Sequence, residues 1–537
     1  MTGKIKDVLI AAVLIAVLIA AYLAGENYSI TDGIKPFFKD SGAVESTVSA
    51  VDLLKPEKII IEDGGQMHSV DPDMKMDKSL KADGADGQTI YSSFTAELKN
   101  RMDGAESFSE ISCADYEDAL SEYSAAAVYV CRISLKDFVS CYDIDYGFDA
   151  ADSIMPSVIA MAAGEKNAVY IYDSDSGKYY RADAESSGEK SGSTWTGMKD
   201  ALRDAYSGSG MSYRYADSSG GYIPDEQTSF AIPDETEFKQ EYDVSDSGVI
   251  DSIVNMFFPN GTDFIRNISC PDGTVSYRYN YTGKILNISP SGRISYSEKT
   301  NKNSYRKSDF CSSLNEAASY ISSHGGFPDD SGVRVYLKSA VKTGNDGIGG
   351  YDFDFEVIYN GLKLAYPDNG QKILTVRTAG SRVIGYYRDL PLASSLVKSS
   401  ASDDNKGNGG GQDRSMTLAQ VTEKNIDELS SALDTKTADT SLQEITDSIS
   451  SAEICLYREP AAEDELSEGQ ADTGEAVREE KNSGSDENLS ESDSGLSTES
   501  TPGGRIVCAW HIIEGGREFW FNAANGNFIA SDTVDSK

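Results

Sequence analysis

Histidine is the side chain best suited to acid–base chemistry near neutral pH, and this sequence contains three. His68 follows a pair of glycines, His324 lies at the end of a predicted helix, and His511 lies in a predicted strand beside Trp510. A zinc site needs three or four ligands that converge, and none of these histidines has companions at metal-ligand spacing. We therefore predict no metal ligands, and expect His324 to interact with its helix dipole and His511 to pack in a sheet.

Local motifs for nucleophilic catalysis are missing from the sequence. It contains no GxSxG nucleophile elbow and no HExxH pair. A Ser/His/Asp triad can still assemble from residues that are distant in sequence, so a cell-surface hydrolase or protease with an unrecognised site stays an alternative. The sequence favours a non-enzymatic protein, and we predict no catalytic residues and no cofactor-binding residues.

Two aspartate-rich segments have the composition of calcium loops. DIDYGFDAAD supplies Asp143, Asp145, Asp149 and Asp152, and DSDSG occupies residues 173–177. A calcium loop of the EF-hand type requires Asp or Asn at its fifth position and Gly at its sixth, and neither segment has both. We interpret the second segment as a turn. The first is interpreted as a solvated loop, with weak calcium binding as the alternative.

Seven cysteines are too few for a disulfide scaffold of this length, and none belongs to a CxxC pair. Most are therefore expected to be free thiols that pack as small hydrophobic residues. Cys455 and Cys508 are the exception, because they lie in two strand-like segments that we predict to be adjacent and antiparallel. The sequence leaves two states open for them, a cross-strand disulfide and reduced thiols.

Residues 8–24 form an unbroken apolar run that is long enough, at ~1.5 Å per residue, to approach the ~30 Å hydrocarbon thickness of a bilayer. Lys4 and Lys6 precede it, which places the N-terminus in the cytoplasm and the bulk of the chain outside. A cleaved signal peptide is the rival interpretation, but Tyr22 occupies a position where cleavage requires a small residue. We predict a single transmembrane helix and a cell-membrane protein.

The formal net charge is -39, from 48 basic and 87 acidic residues. Such a chain repels phosphate backbones, so nucleic-acid binding is excluded. Within the apolar run, Ala12, Ala16 and Ala20 recur at four-residue spacing and form a small-residue face. A second transmembrane helix can approach such a face closely, although the alanines can equally fill lipid.

The rest of the chain reads as an α+β ectodomain of several units built from helices and antiparallel sheets. We divide it into a cytoplasmic tip and transmembrane helix (1–25), a stalk (26–47), an N-terminal α+β domain (48–233), a middle domain with a helix and meander (234–399), a flexible linker (400–414) and a C-terminal helix and sheet unit (415–537). Within the last unit, residues 461–500 carry 13 acidic and 2 basic side chains and no aromatic residue. We predict a disordered insertion over 461–504.

Several short phrases resemble the YycH family. They are the Lys55-Pro56 strand entry, NMFFP at 255–259 followed by FIRNI and DGTVSY, then GRISYSE, and the strand endings GYYRDL and FWFNAANGNFI. The second half also resembles YycI-like repeats, and FNAANG is shared with PepSY-like modules. The resemblance implies a membrane-anchored accessory protein of the WalK (YycG) sensor histidine kinase of low-GC Gram-positive bacteria. It also implies contact between the membrane segment and the kinase, and a YycI-like protein as a further partner.

Together these observations predict a single-pass extracytoplasmic regulator of a two-component system that uses no cofactor. Two alternatives remain from other classes, the hydrolase mentioned above and a PepSY-like binding or inhibitory module for an extracytoplasmic peptidase. The sequence does not favour activation over repression of the kinase.

Overall fold

The computed structural model describes residues 48–75, 89–121, 123–147, 152–164, 167–184, 212–216, 221–230, 232, 239–259, 264–279, 283–299, 309–328, 333–343, 349–359, 361–365, 372–380, 382–392, 414–432, 441–458 and 506–533. The predicted transmembrane run with Ala12, Ala16 and Ala20, the stalk, all of the linker but Arg414, and the acidic insertion lie outside them. Within this part of the chain, no helix is both long and apolar enough to span a membrane.

Nine helices are formed by the described residues: α1 Ala50–Leu53, α2 Ile90–Met102, α3 Cys113–Leu120, α4 Leu135–Cys141, α5 Ser247–Phe257, α6 Phe310–Ser323, α7 Leu418–Lys424, α8 Ile426–Ser430 and α9 Leu442–Ser448. The strands of the first half are β1 Lys58–Asp63, β2 Met67–Val70, β3 Ala105–Ile111, β4 Tyr123–Val128, β5 Val158–Ala162, β6 Ala168–Asp173, β7 Lys178–Ala184, β8 Ser212–Ala216, β9 Gly221–Pro224 and β10 Lys239–Gln240. Those of the second half are β11 Ile265–Ser269, β12 Val275–Tyr279, β13 Lys284–Ile288, β14 Ile294–Glu298, β15 Val333–Thr343, β16 Gly350–Tyr359, β17 Leu362–Ala365, β18 Leu374–Ala379, β19 Arg382–Arg388, β20 Pro391–Leu392, β21 Ile449–Arg458, β22 Ile506–Glu514, β23 Arg517–Asn522 and β24 Phe528–Thr533.

The first unit is a nine-stranded sheet in the order β3-β7-β6-β5-β4-β1-β2-β8-β9. Its central strand β1 is buried on both faces, because Ile59 and Ile61 join one core cluster and Ile60 joins another on the opposite face. The first face is covered by α2, whose side chains Ile90, Phe94, Leu98 and Met102 recur every four residues and are buried. The β1–β2 hairpin turns at Gly64 and Gly65, which adopt positive φ angles of 68° and 97°.

The second sheet has thirteen strands and begins as the meander β11-β12-β13-β14, continued by β19, β18 and β16. Alternation along these strands sends Leu286, Tyr296 and Tyr386 to one face, where they pack with the buried residues of α5 and α6 in a shared core. The Asp309 side chain caps α6 by accepting a hydrogen bond from the Ser312 N–H. The antiparallel α+β architecture expected from the sequence is therefore present.

One connection departs from the expected plan of separate antiparallel units. Strand β17 pairs in parallel with β21, with Lys363 opposite Cys455 and Leu364 opposite Leu456, so the middle and C-terminal sheets merge. The short β16–β17 hairpin leaves the outer edge of β17 free to accept a strand. Two parallel strands must be joined by a long connection, so no local turn motif in the sequence predicts the pairing of β17 with β21.

The first unit also packs against the other two. The Ala50 N–H donates to Asn315 Oδ1 on α6 at 2.8 Å, and Arg334 Nη2 on β15 donates to the Glu57 carbonyl at 2.7 Å. On the C-terminal side, Phe230 stacks edge-on against Trp510 with ring centroids 5.5 Å apart. One hydrophobic core runs from β1 through α6 to β21, so the described units form a continuous packed body.

Candidate functional site

His511 lies between two carboxylates in the C-terminal sheet. Its Nδ1 is 3.2 Å from Glu453 Oε1 and its Nε2 is 3.3 Å from Glu518 Oε2. The imidazole also stacks on the Trp520 indole, with centroids 4.9 Å apart and planes inclined by 10°. Both ring nitrogens are therefore occupied, and among the described residues no hydroxyl or thiol hydrogen-bonds to this ring.

The period of two along β21 and β22 creates this arrangement. Glu453 shares a face of β21 with Cys455 and Tyr457, whereas the intervening Ile454 belongs to the core on the other side. The register then places Glu453 opposite His511, and His511 opposite Trp520. Directly opposed residues share a sheet face, so the three side chains meet.

From Glu453 the charges continue across the merged sheet into the middle unit. Lys363 Nζ on β17 is 3.5 Å from Glu453 Oε1 and 3.7 Å from Glu356 Oε2 on β16. Glu356 also pairs with Lys338 and accepts a 2.6 Å hydrogen bond from the Tyr336 hydroxyl. Glu356 is 6 % exposed, so these contacts replace most of its lost hydration.

The first unit contributes a third set of charges. Lys58 Nζ on β1 is 3.2 Å from Glu57 Oε1 and lies 5.3 Å from the centre of the Tyr213 ring on β8. It is also close enough to Glu453 that the ammonium lowers the pKa of that carboxyl. These contacts join eight charged groups, which we call the charge junction: Glu57, Lys58, Lys338, Glu356, Lys363, Glu453, His511 and Glu518.

The pKa values of the junction follow from competition between burial and neighbouring charge. Burial alone would raise the pKa of Glu453, but Lys363 and the hydrogen bond from His511 hold the pKa well below its ordinary value. Burial alone would lower the pKa of His511, and the hydrogen bonds to Glu453 and Glu518 outweigh it and raise the pKa. The four carboxylates of the junction are matched by four cations only when His511 is protonated.

This arrangement is suited to joining units and responding to protons. Each unit supplies charged groups that would be costly to bury alone, so the units hold one another in one relative placement. The one thiol on the same face, Cys455, has its pKa raised far above the ordinary value by burial, so it is held as the neutral thiol.

The other two histidines differ in environment. His324 follows the end of α6, as expected, but its half-buried ring packs against Phe257 and Tyr386 and stacks on Tyr320 at 3.7 Å, and its Nδ1 lies 2.9 Å from the Ser323 hydroxyl. Burial lowers its pKa to about 4, so the neutral ring, not an imidazolium, faces the helix end. The expected charge–dipole partnership is replaced by aromatic packing. His68 lies in β2 opposite Ile61.

The acidic segments do not converge in the described part of the chain. Asp152 pairs with Lys136 at 2.9 Å, while the Asp145 N–H donates to the Asp103 carboxylate. Asp149 lies outside the described residues. Asp173 Oδ1 accepts hydrogen bonds from the N–H groups of Asp175 and Ser176, which is the turn expected for DSDSG. No group of three or more potential metal ligands occurs among the described residues.

Cys455 and Cys508 lie on adjacent antiparallel strands, as predicted, but not opposite each other. Cys455 is paired with Ala509, and Cys508 with Leu456. A register offset of one residue sends the two side chains to opposite faces, and both are free thiols in the structure. The two thiols therefore do not face each other across the strands, as the cross-strand disulfide considered from the sequence would require.

The aromatic residues of NMFFP and of the C-terminal strands pack in the hydrophobic core. Phe257 and Phe258 are buried, and so are Trp510 and the run of three aromatic residues 519–521. Sequence reasoning did not identify Lys58, Glu356, Lys363, Glu453 or Glu518. The sequence held a signal for Glu453, because Cys455 and Tyr457, two and four residues further along the strand, place this carboxylate on a face that is otherwise packed.

No family model matches the sequence, and no curated protein matches it. Among solved structures, the crystal structure of YycH from Bacillus subtilis is similar to this chain with a TM-score of 0.46 and 12% sequence identity. The alignment covers 77% of this chain and 93% of that chain.

Proposed function

We propose that this chain is a non-enzymatic, membrane-anchored regulator whose extracytoplasmic part transmits a signal to a sensor histidine kinase of a two-component system. The observation that carries the transmitting role is the charge junction, in which three units contribute to one network of mostly half-buried charges. A body joined in this way moves as a whole, so a contact at one end changes the placement of the other.

Two features of the sequence support the proposed membrane location of the protein and the identity of its partner. The apolar run at residues 8–24 behind Lys4 and Lys6 supports a single-pass anchor with the N-terminus in the cytoplasm. The phrases shared with the YycH family support a WalK-like kinase as the partner, with a YycI-like protein as a further member of the assembly. Contact through the anchor would use the face formed by Ala12, Ala16 and Ala20.

The structure offers a reason to prefer regulation to hydrolysis. His511 has carboxylates on both ring nitrogens, so neither nitrogen is available to accept a proton from a nucleophile. The ring of His324 packs against Phe257 and Tyr320, and its Nδ1 lies 2.9 Å from the hydroxyl of the adjacent Ser323. The contacts of His511 therefore argue against that histidine as the general base of a hydrolytic triad.

Co-purification from membranes tests the proposal. The tagged full-length chain, crosslinked in cells and extracted in detergent, should recover a sensor histidine kinase by mass spectrometry. A variant with Ala12, Ala16 and Ala20 all replaced by Leu keeps the hydrophobicity of the anchor and should recover less kinase and alter output of its response regulator. A double Ala→Leu variant at Ala11 and Ala21, which lie away from that face, is the control.

Three outcomes contradict parts of the proposal. Recovery of an extracytoplasmic peptidase in place of a kinase would favour the inhibitory-module alternative. If the variant with Leu at positions 12, 16 and 20 recovers as much kinase as the wild type and leaves response-regulator output unchanged, the anchor serves only as a tether. Recovery of the full chain in the medium or the cytosol would show that residues 8–24 do not anchor the protein in the membrane.

A further inference from the structure

Two half-buried cysteines meet at the boundary between the first and middle units. Cys141 is the last residue of α4, and Cys311 is the second residue of α6, and these two helices pack against each other. Both side chains lie against the same hydrophobic core. Each thiol is close enough to the other to change its pKa, although the residues are far apart in sequence.

The environment of the pair distinguishes its two members. Cys311 is in the first turn of a helix of 14 residues, where backbone N–H groups favour a thiolate, and Asn315 Nδ2 lies 3.9 Å from its Sγ. The neighbouring Cys141 thiol lowers the pKa of Cys311, while burial and the carboxylates of Asp309 and Asp143 oppose that shift. The Cys311 thiol and burial raise the pKa of Cys141. Cys311 is therefore the thiol that ionises first.

We propose that Cys141 and Cys311 form a reversible disulfide that covalently joins the first unit to the middle unit. The contact between α4 and α6 places both thiols at one edge of the same core, on the two sides of the boundary that a disulfide would bridge. Since α4 and α6 belong to different units, the bond would fix the boundary that the charge junction holds without covalent linkage. The inference is independent of the proposed kinase partner.

A small-molecule disulfide is the oxidant for this step. The Cys311 thiolate attacks one sulfur of that disulfide, a Cys311 mixed disulfide forms, and one small thiolate leaves and takes up a proton. The Cys141 thiol then loses its proton and attacks the Cys311 sulfur, which releases the second small thiol. The protein loses two electrons and two protons, and the small disulfide is reduced to two thiols.

Non-reducing peptide mapping of the full-length chain in detergent tests the proposal. The chain is incubated with oxidised glutathione, alkylated with N-ethylmaleimide and digested without reductant. We expect a linked Cys141–Cys311 peptide that dithiothreitol converts to two free peptides. The oxidised chain should also unfold at a temperature several degrees higher than the reduced chain, because the crosslink restricts the unfolded state.

Single variants resolve the order of the steps. Cys141→Ser should accumulate the mixed glutathione disulfide on Cys311, whereas Cys311→Ser should leave Cys141 mostly alkylated. Cys455 and Cys508 are the internal control, since their one-residue offset should keep both alkylated. Alkylation of both Cys141 and Cys311 in the oxidised wild-type chain would overturn the proposal, and so would linkage of either to another cysteine. Because the decisive measurement uses the wild-type chain, a variant that fails to fold leaves it intact.

Discussion

Lys363 and Glu453 lie 3.5 Å apart across the parallel pairing of β17 and β21. The two residues come from the middle and C-terminal units, and both are largely buried. An ion pair in this position contributes to the choice of one strand pairing over others, because any other register leaves a buried charge without its partner. The pair therefore ties the merged sheet to the charge junction.

Replacing one member of this pair should cost more than replacing both. Lys363→Met leaves the Glu453 carboxylate with only His511 and the more distant Lys58 and should lower the free energy of unfolding by about 3 kcal/mol, whereas Lys363→Met with Glu453→Met should cost less. Urea denaturation of the wild type, the Lys363→Met and Glu453→Met single variants and the double variant measures the free energy of unfolding of each chain. Lys372→Met is the matched control, because its partner Asp354 is 3.0 Å away on an exposed surface, where a loss below about 1 kcal/mol is expected. Equal costs for the two lysines would contradict the prediction.

Protonation of His511 should stabilise the protein. Its pKa is raised in the folded state, so the stabilisation is complete below the ordinary value of about 6.5 and is lost as the pH rises through the folded value. Thermal unfolding between pH 6 and 9 should show a falling melting temperature that His511→Gln flattens. The groups that face the ring are Glu453 and Glu518, with Lys363 beyond Glu453. A His511→Gln chain with the same slope as the wild type would exclude this contribution.

Glu514 should contribute a second component in the same pH range. Burial raises the pKa of this carboxyl to about 7, against the hydrogen bond from Ser448 Oγ at 2.5 Å. The folded state thus binds the proton more tightly, and stability decreases as the pH rises from about 4.5 through about 7. Glu514→Gln should be more stable than the wild type at pH 8, by about 2 kcal/mol, and similar to it at pH 4. The urea midpoints of the wild type and of Glu514→Gln are compared at pH 4 and pH 8. An equal gain in stability at both pH values would rule out titration of Glu514 as the cause.

His324 should weaken the protein on the acid side. Burial lowers its pKa to about 4, so the neutral ring is favoured and stability is lost as the pH falls from about 6.5 to about 4. The full contribution is about 3 kcal/mol. His324→Phe keeps a ring to stack on Tyr320, although it loses the contact between Nδ1 and the Tyr320 carbonyl at 3.0 Å. Melting curves at pH 4.5 and 7 should show a smaller difference for this variant, and an unchanged difference would refute the assignment.

Deletion of residues 461–500 should leave the folded body intact. The flanking strands β21 and β22 already pair from Ile449–Glu514 to Arg458–Ile506, so the deletion shortens a connection between two strands that are neighbours in the sheet. The melting temperature should change by only a few degrees, measured by circular dichroism. Loss of cooperative unfolding would show instead that the segment contributes to the core.

Local patterns in the sequence determined the elements that are stabilised by neighbouring residues. The stripe from Ile90 to Met102 recurs every four residues and forms one buried face of α2. The hairpin formed by β6 and β7 was equally accessible, because its turn residues Asp173 and Gly177 lie between two alternating segments. Helix caps and short turns depend on residues within a few positions of one another, so a single sequence suffices to predict them.

The tertiary structure alone decided which distant residues meet. The parallel pairing of β17 with β21 brings Lys363 to Glu453, and the register of β21 with β22 brings His511 to Glu453 while it separates Cys455 from Cys508. Cys141 and Cys311 meet only because α4 and α6 pack together. Such contacts depend on sheet register and helix packing, in which a shift of one residue reverses the face of every side chain, and no local pattern fixes that choice.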